Sequence, residues 1–111
     1  MNQQVCFQEE TQGRWVNVEK GIDRMIMGYN KDLMMVKVKF EKSAVGILHS
    51  HPHIQAAYIA KGSFKVTING ETRLLREGDT FFLESNLEHG VVCLEEGLLI
   101  ETFTPCRTDF L

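Results

Sequence analysis

The sequence predicts an all-β domain, a sandwich or closed barrel, and three observations carry that expectation. Short segments alternate with period two: Met34, Val36, Val38 and Phe40 oppose Lys37 and Lys39, and Phe64, Val66 and Ile68 oppose Lys65 and Thr67. Turn signals punctuate the chain at Asn30-Lys31, Lys61-Gly62, Asn69-Gly70 and Glu77-Gly78-Asp79. No stretch sustains a 3.6-residue hydrophobic repeat. Many short strands at even spacing favour closure, which removes the exposed edges that invite aggregation.

The elements follow in order. Residues 14–20 are a weak strand candidate, and 24–29 form an apolar strand ending before Asn30-Lys31. Residues 34–40 are the clearest alternating strand. Residues 55–60 are apolar and expected to stop at Lys61-Gly62. Residues 64–68 and 71–76 form a hairpin around Asn69-Gly70, because a type I′ turn needs positive φ at both central residues. Residues 80–83, 90–94 and 98–103 are three further strands. The last two residues, Phe110-Leu111, are apolar and should pack on the barrel or on a partner.

The chain has 111 residues, enough for one domain and too few for two. The expected organisation is a single domain over 1–111: N-terminal strands in 1–33 packing on the barrel, a barrel core at 34–104 and a tail at 105–111. A 43% apolar content supplies a core. The net charge of −3 is scattered, with no basic stripe beside exposed aromatics, so no nucleic-acid partner is expected. No apolar run reaches the roughly 20 residues that span a bilayer, and the N-terminus lacks a leader pattern. Cys6, Cys93 and Cys106 are an odd number without a CxxC pair, which fits free thiols in a reducing cytoplasm.

The chemistry concentrates in the histidines. His49, His51 and His53 alternate and Gln55 follows, so an extended HSHPHIQ segment would aim several donors at one point. Gly62 comes seven positions after Gln55, and His89 eleven after Gly78. This spacing, from Gly46 to Gly90, resembles the two cupin motifs. The resemblance implies a double-stranded antiparallel β-helix barrel, or jelly roll, holding one divalent metal through His49, His51, Gln55 and His89. His53 either lines the pocket or stands on the surface. Imidazole suits Ni, Zn, Fe and Mn alike, so the ligands do not name the metal. Three imidazoles and an amide are neutral, which leaves the metal charge uncompensated and open to an anion.

The segments VKVKFEK, HSHPHIQ, GSFKVTINGETRLLREGD, LEHGVV and ETFTPCRTDFL further resemble the small pectin-degradation cupins of KdgF type. That resemblance implies a metal-dependent isomerase converting 4,5-unsaturated uronates from pectin or alginate into linear ketonised sugars, and a homodimer. It implies functional roles for Glu101, Phe103 and Arg107. From the residues alone, Glu101 could face inward, where burial and a nearby cation would perturb it in opposite directions, or outward to water. Arg107 could clamp the carboxylate of a small anionic sugar or form a surface ion pair. A non-catalytic sugar- or anion-binding cupin and an iron-dependent dioxygenase are the alternative functions, because fold does not fix chemistry.

Overall fold

A computed structural model describes residues 6–111. Its strands are β1 (Val16–Glu19), β2 (Ile22–Tyr29), β3 (Met34–Phe40), β4 (Val45–His49), β5 (Ile54–Ile68), β6 (Glu71–Arg76), β7 (Thr80–Leu83) and β8 (His89–Thr104). Two 3-10 turns, Glu10–Gln12 and Thr108–Phe110, lie outside them. Every strand pairing is antiparallel, in the order β1-β2-β3-β8-β5-β6, with β4 on β8 and β7 on β5.

Two long strands, β5 and β8, build the architecture. They pair with each other from Ile54↔Thr104 to Ile68↔His89. The C-terminal part of β8 also pairs with β3, and its N-terminal part with β4. The N-terminal part of β5 also pairs with β7, and its C-terminal part with β6. Each long strand therefore serves two sheets, which face one another across a shared core. Met34, Val36, Ile59, Phe64, Leu83, Leu99 and Phe103 are buried there, and Phe40 meets Phe64 edge-on at 5.1 Å. The β1 and β2 strands extend this system edge to edge, hydrogen-bonded through β3.

The expected strands at 34–40, 71–76 and 80–83 coincide with β3, β6 and β7. The Asn69-Gly70 turn has φ of 49° and 84°, positive at both residues as the type I′ geometry needs. Three expectations are corrected. The strand expected to stop at Lys61-Gly62 continues as β5, and those expected separately at 90–94 and 98–103 are one strand, β8. Glycines permit both bends. Gly62 has φ +85°, and a Cβ there would sit 2.5 Å from the carbonyl oxygens of Glu95 and Glu96. A Cβ on Gly97 would sit 2.6 Å from the Phe64 ring. Third, β4 was not foreseen: most of Val45–His49 is exposed, so it carries no inward-outward alternation.

At the C-terminus, only half of the apolar pair packs. Phe110 meets Phe103 at 5.7 Å, while Leu111 is 63% exposed. Cys93 and Cys106 are buried and Cys6 is exposed, and no disulfide joins them. Among the described residues no helix is long and apolar enough to cross a membrane.

The bend makes a prediction. Gly62→Ala should destabilise the protein by about 2 kcal/mol or more, from a left-handed backbone and a carbonyl clash together. Gly28→Ala, where nothing lies within 4 Å of the added methyl, should stay within about 0.5 kcal/mol of the parent. Denaturant unfolding of both variants checks this, and equal midpoints would contradict it.

Candidate metal centre

Four elements deliver the donors. His49 ends β4, His51 lies in the following loop, Gln55 stands near the start of β5, and His89 opens β8. The HSHPHIQ segment is thus strand end, loop and strand start, not the single extended stretch expected. His49 faces His89 directly across the β4·β8 ladder. The loop is pinned from the turn ahead of β8: the Asn86 N–H donates to the His51 carbonyl at 2.8 Å, and Ser85 Oγ donates to the Pro52 carbonyl at 2.6 Å. Asn86 adopts φ +67°, a region asparagine tolerates better than most residues.

Backbone carbonyls set the histidine tautomers. Nδ1 of His49 lies 2.8 Å from the Ile47 carbonyl, that of His51 3.2 Å from the His53 carbonyl, and that of His89 2.9 Å from the Leu87 carbonyl. A carbonyl only accepts, so each Nδ1 carries the ring proton and each Nε2 keeps a lone pair. One ligand atom from each of His49, His51 and His89 falls within 4.8 Å of the others. The Gln55 Nε2 donates to Glu101 Oε2 at 3.2 Å, which turns Gln55 Oε1 toward His51 Nε2, 2.9 Å away. Two acceptors that close need a proton or a cation between them. Burial, with the Arg107 charge second, pushes the His51 pKa down, so a proton is disfavoured there. The donor set therefore fits a divalent metal held by three imidazoles and one amide oxygen.

His89 is lowered further, to about 4, chiefly by burial. Both shifts favour the neutral ring, the form that ligates. Glu101 moves the opposite way, up to about 7, because burial outweighs the opposing charges of Arg107 and Arg24. A cation at the imidazoles would draw it back toward the carboxylate form.

Glu101 faces the interior. A cavity of about 200 Å³ is lined by His49, Gln55, His89, Glu101, Phe103 and Arg107, among others. The structure thus brings together six of the seven residues given ligand or functional roles above. The seventh, His51, joins through its ring, 4.9 Å from that of His89 and 5.8 Å from that of Phe103. His53 is half-buried beside His51 and Phe103, at 5.5 and 6.5 Å between rings, and takes no part in the imidazole cluster. Arg107 lines the cavity and also holds Asp109 with two bonds, Nε to Oδ1 at 3.0 Å and NH2 to Oδ2 at 2.9 Å. Of the two readings set out above, a carboxylate clamp and a surface ion pair, the structure shows the ion pair, made by a side chain that also lines the cavity.

A family model described as a cupin domain matches residues 36–101, more than half of the chain. The chain belongs to the cupin family. This cupin is 52% identical over 99 residues to the pectin degradation protein KdgF of Dickeya dadantii, a match covering 87% of the cupin and 90% of that protein. It superposes on an RmlC-like cupin from Shewanella frigidimarina with a TM-score of 0.94 at 38% identity, covering 96% of each chain. With KdgF from a Halomonas species the TM-score is 0.92 at 41% identity, over 96% of this cupin and 99% of that chain.

Two features of the cupin's site escaped the sequence reading. Ser85 and Asn86 hold the His51 loop from across the sheet, and Arg24 enters the cavity lining from β2. Ser85 and Asn86 lie inside the second motif but carry no ligand signal, Arg24 lies outside both motifs, and only the folded register brings them to the histidines. Replacing His49 and His51 together by alanine should remove stoichiometric metal while the β-sheet circular dichroism persists. Elemental analysis of the purified double variant checks this, and full metal content would contradict the ligand set.

Proposed function

We propose that this cupin is a metal-dependent isomerase that opens and ketonises small 4,5-unsaturated uronates released from pectin or alginate. The observation that carries the reading is the Glu101 carboxyl inside the imidazole-lined cavity, held by the amide of metal-ligand candidate Gln55. The likeness to KdgF proteins, one of them described as a pectin degradation protein, supports the substrate class.

The chemistry needs a proton moved and an anion held. Ring opening takes the proton from the anomeric hydroxyl as the C1–ring oxygen bond breaks, leaving an aldehyde at C1 and an enolate at C5. Ketonisation returns a proton to C4 while C5 becomes a ketone, so the product is an isomer and no redox partner is required. Glu101 is the group able to take the first proton and deliver the second. A bound divalent metal would supply Lewis acidity toward the substrate oxygen on which negative charge develops. Phe103 forms an apolar wall beside His51 that limits water around the enolate. Arg24 and Arg107 give this end of the cavity positive charge, which favours a carboxylate substrate. Because the candidate ligands are all neutral, that charge adds to the metal's own.

The reading extends to a homodimer in the cytoplasm. Exposed Ile47 and Leu48 on β4 and Phe82 on β7 offer apolar surface for a second copy, and the buried thiols Cys93 and Cys106, joined in no disulfide, suit a reducing compartment.

Glu101→Gln keeps the volume and the hydrogen bond with Gln55 but removes the titrating group. Turnover, followed as loss of the ultraviolet absorbance of the conjugated C4=C5 bond, should fall by roughly 10²–10⁴-fold with metal content unchanged. Normal turnover in this variant would overturn the proton-transfer role. Uronate binding without turnover in the wild type would favour a binding protein, and oxygen consumption dependent on Fe(II) a dioxygenase.

A further inference from the structure

Arg24 stands on β2, paired with Val16 of β1 and Val38 of β3. Its side chain lines two spaces at once. One is the inner cavity with Gln55, His89 and Glu101, and the other is an outer groove of about 510 Å³ bordered by Phe7, Arg14 and Tyr29. Phe110 is shared by both spaces, and the Arg24 guanidinium carbon lies 3.6 Å from the centre of its ring. The groove and the cavity therefore meet at Arg24 and Phe110.

The half-buried Arg24 side chain makes no hydrogen bond or ion pair among the described residues. A guanidinium has five N–H donors, and a partly desolvated charge with none of them used is unfavourable unless something else satisfies it. Its surroundings add to the cost. Arg107 presses a second guanidinium against the same Phe110 ring at 4.2 Å, and burial and that like charge both weaken the hold of Arg24 on its proton. The carboxylates nearby are committed elsewhere: Asp109 to Arg107 through two bonds, and Glu101 to Gln55. Arg107 is the reverse case, since its planar fork is already filled by Asp109 and its side chain is only 11% exposed.

We propose that Arg24, the uncommitted guanidinium where the groove meets the cavity, binds the carboxylate of the substrate. Arg107, locked by Asp109 and stacked on Phe110, is a positioning residue that fixes the aromatic wall. The planar fork of Arg24 matches a carboxylate in bidentate geometry, and an anion seated there offsets the like charge of Arg107. The identity of that anion as a uronate rests on the isomerase reading above.

The test uses the metal-loaded protein and a saturated, non-reacting uronate, D-galacturonate, beside its uncharged methyl ester, with affinities read by calorimetry. The wild type should prefer the acid. Arg24→Met keeps the stem against Phe110 and should weaken galacturonate about 10- to 100-fold, the range for a lost charged hydrogen-bond pair. Ester affinity, metal content and the unfolding midpoint should not move. Arg24→Lys, which keeps the charge but not the fork, should fall between the two. Arg107→Met should retain the preference for the acid. The inference is overturned if the wild type does not distinguish acid from ester, if the preference survives in Arg24→Met, or if only Arg107→Met abolishes it. Turnover of the unsaturated uronate is scored separately. An Arg24-dependent preference in a wild type without turnover removes the isomerase reading and leaves the role of Arg24 standing.

Discussion

The antiparallel pairing of β5 with β8 is the constraint on which the rest depends. Along β8 the inward residues keep one parity through the bend: His89, Val91 and Cys93, then Leu99, Glu101 and Phe103. Along β5 the parity changes: Gln55, Ala57 and Ile59 face inward before the bend, and Phe64 and Val66 after it. The register shifts around Ile59–Phe64 absorb the change with unequal residue counts on the two strands. Without that irregularity one half of β5 would turn its apolar set to solvent, since a slip of one residue inverts every side chain. The same pairing sets Gln55 opposite Phe103 and Ala57 opposite Glu101, so the amide and the carboxyl converge from adjacent strands.

Under the function proposed above, that convergence would tie metal binding to acid–base chemistry. The Gln55 amide gives its N–H to Glu101 and presents its oxygen to the imidazole cluster. An amide can serve both at once, since it has a donor end and an acceptor end. A glutamate at this position would place an acceptor against the Glu101 carboxylate, and two carboxylates at that distance cannot both ionise freely. A neutral candidate ligand and a titratable neighbour are therefore two consequences of one side chain.

Much of this was legible in the residues, for physical reasons that differ from place to place. The β3 strand reads directly because one face is wholly buried and the other carries lysines, and the β5–β6 hairpin reads because Asn-Gly permits its turn. The imidazole cluster reads from motif spacing, as the fold needs its donors at strand ends. The bends do not read, because glycine at Lys61-Gly62 signals a stop as well as a kink. The face of Glu101 does not read, because Leu98 and Ile100 make the other side of β8 apolar too, and only pairing with β3 and β5 selects one. Arg24 does not read at all: its meaning lies in the carboxylates it lacks, and those are set by the Arg107–Asp109 pair far along the chain.

The central claim is a single cation shared by three Nε2 atoms and one amide oxygen. Anomalous X-ray scattering at the absorption edge of the metal found by elemental analysis tests it most directly. The account predicts one anomalous peak per chain, about 2.0–2.3 Å from Nε2 of His49, His51 and His89 and from Gln55 Oε1. No peak there, or a peak that leaves Gln55 Oε1 facing His51 with nothing between them, would contradict it.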